Sequence, residues 1–171
     1  YKYEFMSSDN IYNHWGGWRY KYDPNFDLQN NMKNIKAIDH HLLHKMSNGD
    51  RAFYKYTLCH FKRILIGHKT GIIYTVTGQK GSGKSVIIEF IGKKILGEAY
   101  WAFVNMKKQI TGDFTGLTDN KTMVFLDELD TWSGDHTWAN IMKAKATQTT
   151  QVSNVKYKMT TKIKDKINYF Q

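Results

Sequence analysis

The chain has 171 residues, of which 41% are hydrophobic and 15% aromatic, with 25 lysines and arginines against 15 acidic residues. That length and apolar share allow one cored domain, or a domain with a small accessory subdomain, and argue against a disordered chain. The net charge of +10 suits a polyanionic partner, the single Cys59 excludes an internal disulfide, and no apolar run approaches the roughly 20 residues of a membrane helix, so an intracellular location away from membranes is expected.

Residues 1–31 are rich in aromatics and asparagine, with turn signals at Gly16-Gly17 and Asp23-Pro24-Asn25. The aromatics suit core packing, and a nucleic-acid stacking platform is the alternative. Residues 32–47 carry Ile35, Ile38, Leu42 and Met46 at helical spacing. Asn48-Gly49-Asp50 breaks that helix, and residues 51–66 form a second with Phe53, Thr57, Phe61, Ile64 and Leu65 on one stripe. His40, His41, His44, His60 and Cys59 have no standard zinc spacing, so they read as solvated or packed side chains.

Gly71 to Thr77 is an apolar, β-branched strand pattern. It runs into Gly78-Gln79-Lys80-Gly81-Ser82-Gly83-Lys84-Ser85, which fits G-x-x-x-x-G-K-[ST]. A helix follows from Lys84, with Ile87, Phe90, Ile91 and Ile95 on one face and Gly97 placed to end it. In such a loop the glycines let backbone N–H groups approach phosphate oxygens, and the helix N-terminus adds partial positive charge. Lys84 can reach the β- and γ-phosphates of ATP, and the Ser85 hydroxyl can hold Mg²⁺.

Tyr100 to Val104 reads as the next strand, and residues 105–121 as a connection with a turn at Thr118-Asp119-Asn120. Thr122 to Leu126 is a buried-strand pattern ending in Asp127-Glu128. Acidic residues at that place suit a water-mediated Mg²⁺ ligand, Asp127, and a residue polarising the attacking water, Glu128. Asp135 to Thr147 reads as a helix.

Residues 143–171 are basic, with Lys143, Lys145, Lys156, Lys158, Lys162, Lys164 and Lys166 against Asp165 alone. Val152 to Met159 alternates, with Val155, Tyr157 and Met159 on one side and Lys156 and Lys158 on the other. A turn at Thr160-Thr161-Lys162 would lead into a second strand over Ile163 to Phe170. Such a basic hairpin is either a DNA-contacting element or an edge strand protected by lysines.

The order of these motifs resembles the superfamily 3 helicases, in particular the poxvirus-type viral primase-helicases. The resemblance rests on Gly78 to Ser85, on Ile110-Thr111-Gly112-Asp113-Phe114-Thr115, and on Met123 to Glu128. It extends to Ile141-Met142-Lys143 with Val155-Lys156-Tyr157-Lys158, to Asn168-Tyr169-Phe170, and to Ser47-Asn48-Gly49-Asp50 ahead of the core. It implies an ATP- and Mg²⁺-dependent DNA helicase or translocase of a viral or mobile-element replication protein, acting on single-stranded or forked DNA as a homo-hexameric ring. It also implies that the sensor asparagine and an arginine finger lie beyond Gln171, so the sequence reads as a piece of a longer protein, incomplete as an ATPase on its own.

The expected fold is α/β: a phosphate-loop NTPase core of the AAA+ kind over 70–171 with a mostly parallel sheet, after an aromatic-rich and helical subdomain over 1–69. An ATPase that remodels or packages without unwinding, a non-catalytic nucleotide-binding module and a small-molecule kinase are the alternatives.

Overall fold

The computed structural model describes residues 23–79, 81–112, 116–127 and 136–171. The expectations for residues 1–22, Lys80, Asp113 to Thr115 and Glu128 to Asp135 lie outside these ranges.

Helix α1 spans Leu28–His41. It starts ahead of residue 32 because the Asp27 carboxylate accepts from the N–H groups of Gln29, at 2.8 Å, and Asn30, at 3.1 Å, which would otherwise lack partners. The helix then widens into a π-helical turn over Leu42–Met46. Asn48 and Gly49 take positive φ, 49° and 79°, and break it. Asp50 caps α2, Arg51–Leu65, through the N–H groups of Ala52 and Phe53.

Four parallel strands form the main sheet: β1 (Ile73–Tyr74), β2 (Trp101–Val104), β3 (Met123–Leu126) and β6 (Asn168–Phe170). Their order is β1-β6-β3-β2. Helix α3, Lys84–Glu89, leaves the loop after β1 and continues as a π-helix over Phe90–Leu96. It ends at Gly97, where φ is 80°. The connection between β2 and β3 contains a short helix, α4, Lys108–Thr111, and α5 spans His136–Thr147. No helix of the described residues is long and apolar enough to cross a membrane.

The alternation of a strand explains the two cores. Met123 and Phe125 join Tyr74, Trp101 and Phe170 on one face, against Leu42, Met46, Phe61, Ile64, Ile87, Ile88 and Ile91 from α1 to α3. Val124 and Leu126 join Ala102, Val104 and Tyr169 on the other face, against Ile110, Trp138 and Met142. All four residues of β3 are buried, as a strand covered on both faces requires. Ile35 and Phe53, expected on apolar stripes, are exposed by 37% and 40% and lie outside both cores.

Three expectations are corrected. The strand expected over 71–77 is paired only at Ile73–Tyr74, although Val76 N–H still donates to Gln171 O at 2.7 Å. The hairpin is shorter and differently divided: β4, Thr150–Ser153, pairs antiparallel with β5, Thr161–Lys164. The expected turn at Thr160 to Lys162 thus falls at the start of a strand, and Asn168–Phe170 belongs to the main sheet between β1 and β3. Lys156 and Lys158 sit in the loop joining β4 to β5, not on a strand face. The physical reason is a turn: Lys158 N–H donates to Val155 O at 2.9 Å and Tyr157 takes a φ of 66°. That ends the extended alternation and leaves Tyr157 and Met159 92% and 89% exposed.

Candidate functional site

The glycine-rich segment lies where β1 hands the chain to α3, at the carboxyl edge of the parallel sheet. In open α/β sheets this edge gathers the binding loops. Gly81 and Gly83 take left-handed φ values of 79° and 83°, which a side chain would oppose. Gly83 is the N-cap of α3 and has no side chain to satisfy the first turn.

Lys84 folds back over the loop. Its Nζ donates to the carbonyls of Gly78, at 2.6 Å, and Gln79, at 2.9 Å. A Cβ on Gly78 would stand 3.5 Å from Lys84 Cδ and 3.4 Å from Ser82 Oγ, so the loop closes around this side chain. The ammonium is thereby held at the loop by neutral acceptors, and among the described residues no carboxylate pairs with it. Ser85 is half-buried in the first turn of α3. Gly78, Gln79, Gly81 and Ser82 are exposed.

Asp127 follows β3, one strand (β6) away from β1, at the same carboxyl edge. It is half-buried, and its N–H donates to Val104 O at 2.9 Å, which fixes its backbone to β2. Glu128 and Lys80 lie outside the described residues. Lys156 and Lys158 are exposed in the separate β4–β5 hairpin, with Lys156 Nζ 5.0 Å from the Tyr157 ring centroid.

One contact has no signal in the sequence. His41, at the end of α1, places Nε2 3.0 Å from Gly83 O. The two residues are 42 positions apart, and a lone histidine within a histidine-rich helix carries no motif that would pair it with the loop. His60 is buried on α2 between Tyr74, at 5.1 Å between ring centroids, and Phe170, at 5.4 Å.

These elements define an α/β domain with a mostly parallel sheet and a lysine-bearing glycine loop at its carboxyl edge. A family model described as a family of unknown function (DUF5906) matches residues 76–171, and the chain belongs to that family. No curated protein matches the chain. Among solved structures, the A form apo structure of the NrS-1 C-terminal region is similar with a TM-score of 0.67 and 22% identity, over 78% of this chain and 32% of that one. A second apo structure of the NrS-1 C-terminal region has a TM-score of 0.67 and 20% identity, over 78% and 32% of the two chains. At these identities the likeness is one of fold, and the chain spans about a third of the length of those structures.

Proposed function

We propose that this domain is the ATP-hydrolysing core of a replication-associated DNA helicase or translocase. The observation that carries the reading is the loop itself: a strand of a parallel sheet, a glycine turn in left-handed conformations, and a lysine from the first turn of the next helix folded over the loop carbonyls. Neutral carbonyls are weaker partners for an ammonium than a phosphate oxygen, so the site is suited to exchange them for an anion. The fold shared with the NrS-1 C-terminal region supplies the parallel sheet whose carboxyl edge carries such a loop.

In this proposal Gly78 to Ser85 would wrap the phosphates of ATP, with Lys84 on the β- and γ-phosphates. Ser85 would hold Mg²⁺ directly and Asp127 through water, and Glu128 would orient the attacking water. When bound, Mg²⁺–ATP supplies the phosphoryl bond whose cleavage drives movement. A DNA strand and a homo-hexameric ring are parts of the same proposal. Lys156 and Lys158 would meet the DNA backbone from the tip of the hairpin.

ATP turnover by the full-length protein, with and without single-stranded DNA, tests the reading. DNA-stimulated turnover that disappears in Lys84→Ala supports it. Turnover indifferent to both DNA and Lys84 removes it.

A further inference from the structure

We propose that His41 is a positioning residue for the phosphate-binding loop. The inference rests on the nucleotide reading of Gly78 to Ser85. It adds a part from outside the motif, supplied by the helical segment ahead of the sheet.

The geometry starts from the chemistry of the two groups. A carbonyl oxygen only accepts, so His41 must present Nε2–H to Gly83 O, at 3.0 Å. The peptide between Gly83 and Lys84 is planar and trans, so its C=O and N–H point in opposite directions. Holding the Gly83 carbonyl toward His41 therefore aims the Lys84 N–H the other way. That amide is one of those the nucleotide reading requires at the phosphates.

Gly83 needs an outside partner. It sits at φ 83° as the N-cap of α3, and it has no side chain of its own to hold that conformation. Its carbonyl also accepts from Val86 N–H, but at 3.3 Å. The His41 bond is partly buried, which shields it from competing water.

The approach is also close. A Cβ on Gly83 would lie 2.9 Å from His41 Cε1. The last glycine of the motif is thus required twice, by its left-handed backbone and by the imidazole beside it. His41 closes α1 where the helix widens into the π-turn at Leu42–Met46, whose Leu42 and Met46 are buried in the core beside Ile87 and Ile88 of α3. The ring is therefore anchored from a packed segment, and π-turns of this kind recur at functional sites.

The test compares His41→Ala, His41→Phe and His41→Gln in the full-length protein, with Lys84→Ala beside them. The dissociation constant for Mg²⁺–ATP is measured by calorimetry, and amide hydrogen exchange over residues 83–86 is followed without nucleotide. Removing the bond should weaken Mg²⁺–ATP binding roughly three- to tenfold in the alanine and phenylalanine variants and speed exchange at Lys84 and Ser85. His41→Gln, which restores a side-chain N–H, should bind within about twofold of wild type. Phenylalanine keeps a ring in the same space, so it decides the matter if the alanine variant does not fold. Wild-type binding and exchange in these variants, with binding abolished in Lys84→Ala, overturns the role of His41 and leaves the nucleotide site standing. Wild-type protein that binds no Mg²⁺–ATP overturns both.

Discussion

Lys69 Nζ lies 2.8 Å from Asp165 Oδ2, and the Asp165 side chain is wholly buried. Lys69 lies in the segment between α2 and β1, and Asp165 lies between β5 and β6. The pair therefore sits at the amino end of the parallel strands, opposite the glycine loop. Asp165 also accepts from Gln148 Nε2, at 2.6 Å, and from Ile167 N–H, at 2.9 Å, while Lys69 donates to Lys145 O at 2.8 Å. Beside it, Asn168 Oδ1 accepts from Thr70 N–H and Thr70 Oγ, and its Nδ2 donates to Thr122 O. This network ties the starts of β1, β3 and β6 together.

Lys69→Met should leave the Asp165 carboxylate buried without its cation. Breaking one side of such a pair costs about 3–5 kcal/mol. Urea unfolding of the variant gives the number, and a destabilisation under about 1 kcal/mol would show that the pair is not a structural pin. Because the network lies at the far end of the strands, the variant, where folded, should keep wild-type affinity for Mg²⁺–ATP.

His60 makes stability depend on pH. Burial lowers its pKa from 6.5 to about 4, assisted by the neighbouring positive charge of Arg63. His60 is 4% exposed, and its Nε2 has no hydrogen-bond partner among the described residues, so the folded site favours the neutral ring. The unfolded chain takes up the proton first. The stabilisation is therefore complete above about pH 6.5 and is lost as pH falls toward 4. Its size is on the order of 1–3 kcal/mol. Carboxylates titrate in the lower part of that window, so the measurement is the difference between wild type and His60→Phe across about pH 4–7. A difference that does not change with pH would mean that His60 titrates in the fold as it does in the unfolded chain.

Much of the sheet is legible in the sequence because it is local. Four apolar residues at Met123–Leu126 can be covered on both faces only inside a sheet. The Gly97 stop and the Asp50 start follow from backbone freedom and carboxylate capping. The strand order is not local: β6 enters between β1 and β3, and nothing near Asn168 announces its neighbours. The hairpin shows the limit of alternation. Val155, Tyr157 and Met159 keep the period of a strand, yet β5 pairs only back to Ser153, and the Val155–Lys158 turn takes the rest. Within the candidate site, the motif marks Gly78 to Ser85, while the approach of His41 depends on how α1 packs.

Lys84 and Glu128 should separate binding from hydrolysis. Lys84→Ala removes the ammonium now held on the Gly78 and Gln79 carbonyls, and Mg²⁺–ATP affinity should fall. Glu128→Gln should bind nearly as wild type and hydrolyse slowly, because its proposed work is on water, not phosphate. Affinity and single-turnover rate are compared for both. Wild-type hydrolysis by Glu128→Gln would remove that role from it.

Lys156 and Lys158 flank Tyr157 in a loop that stands clear of both cores. The Tyr157 ring is 92% exposed. An edge strand protected by lysines would carry them along its paired length, facing outward. Here they lie outside the paired residues, where they protect no strand edge. In the proposed reading they would meet a phosphate backbone, and Tyr157, whose ring centroid lies 5.0 Å from Lys156 Nζ, would stack on a base. Lys156→Ala with Lys158→Ala should weaken single-strand binding for all sequences alike. The slope of log K against log salt should fall by roughly 0.7 for each phosphate no longer neutralised. Tyr157→Ala should weaken binding while leaving that slope unchanged, because stacking releases no counterions. Titrations at several salt concentrations distinguish the two effects. If the double lysine variant keeps the wild-type slope, the tip meets no phosphate, and the proposed DNA contact of Lys156 and Lys158 is removed.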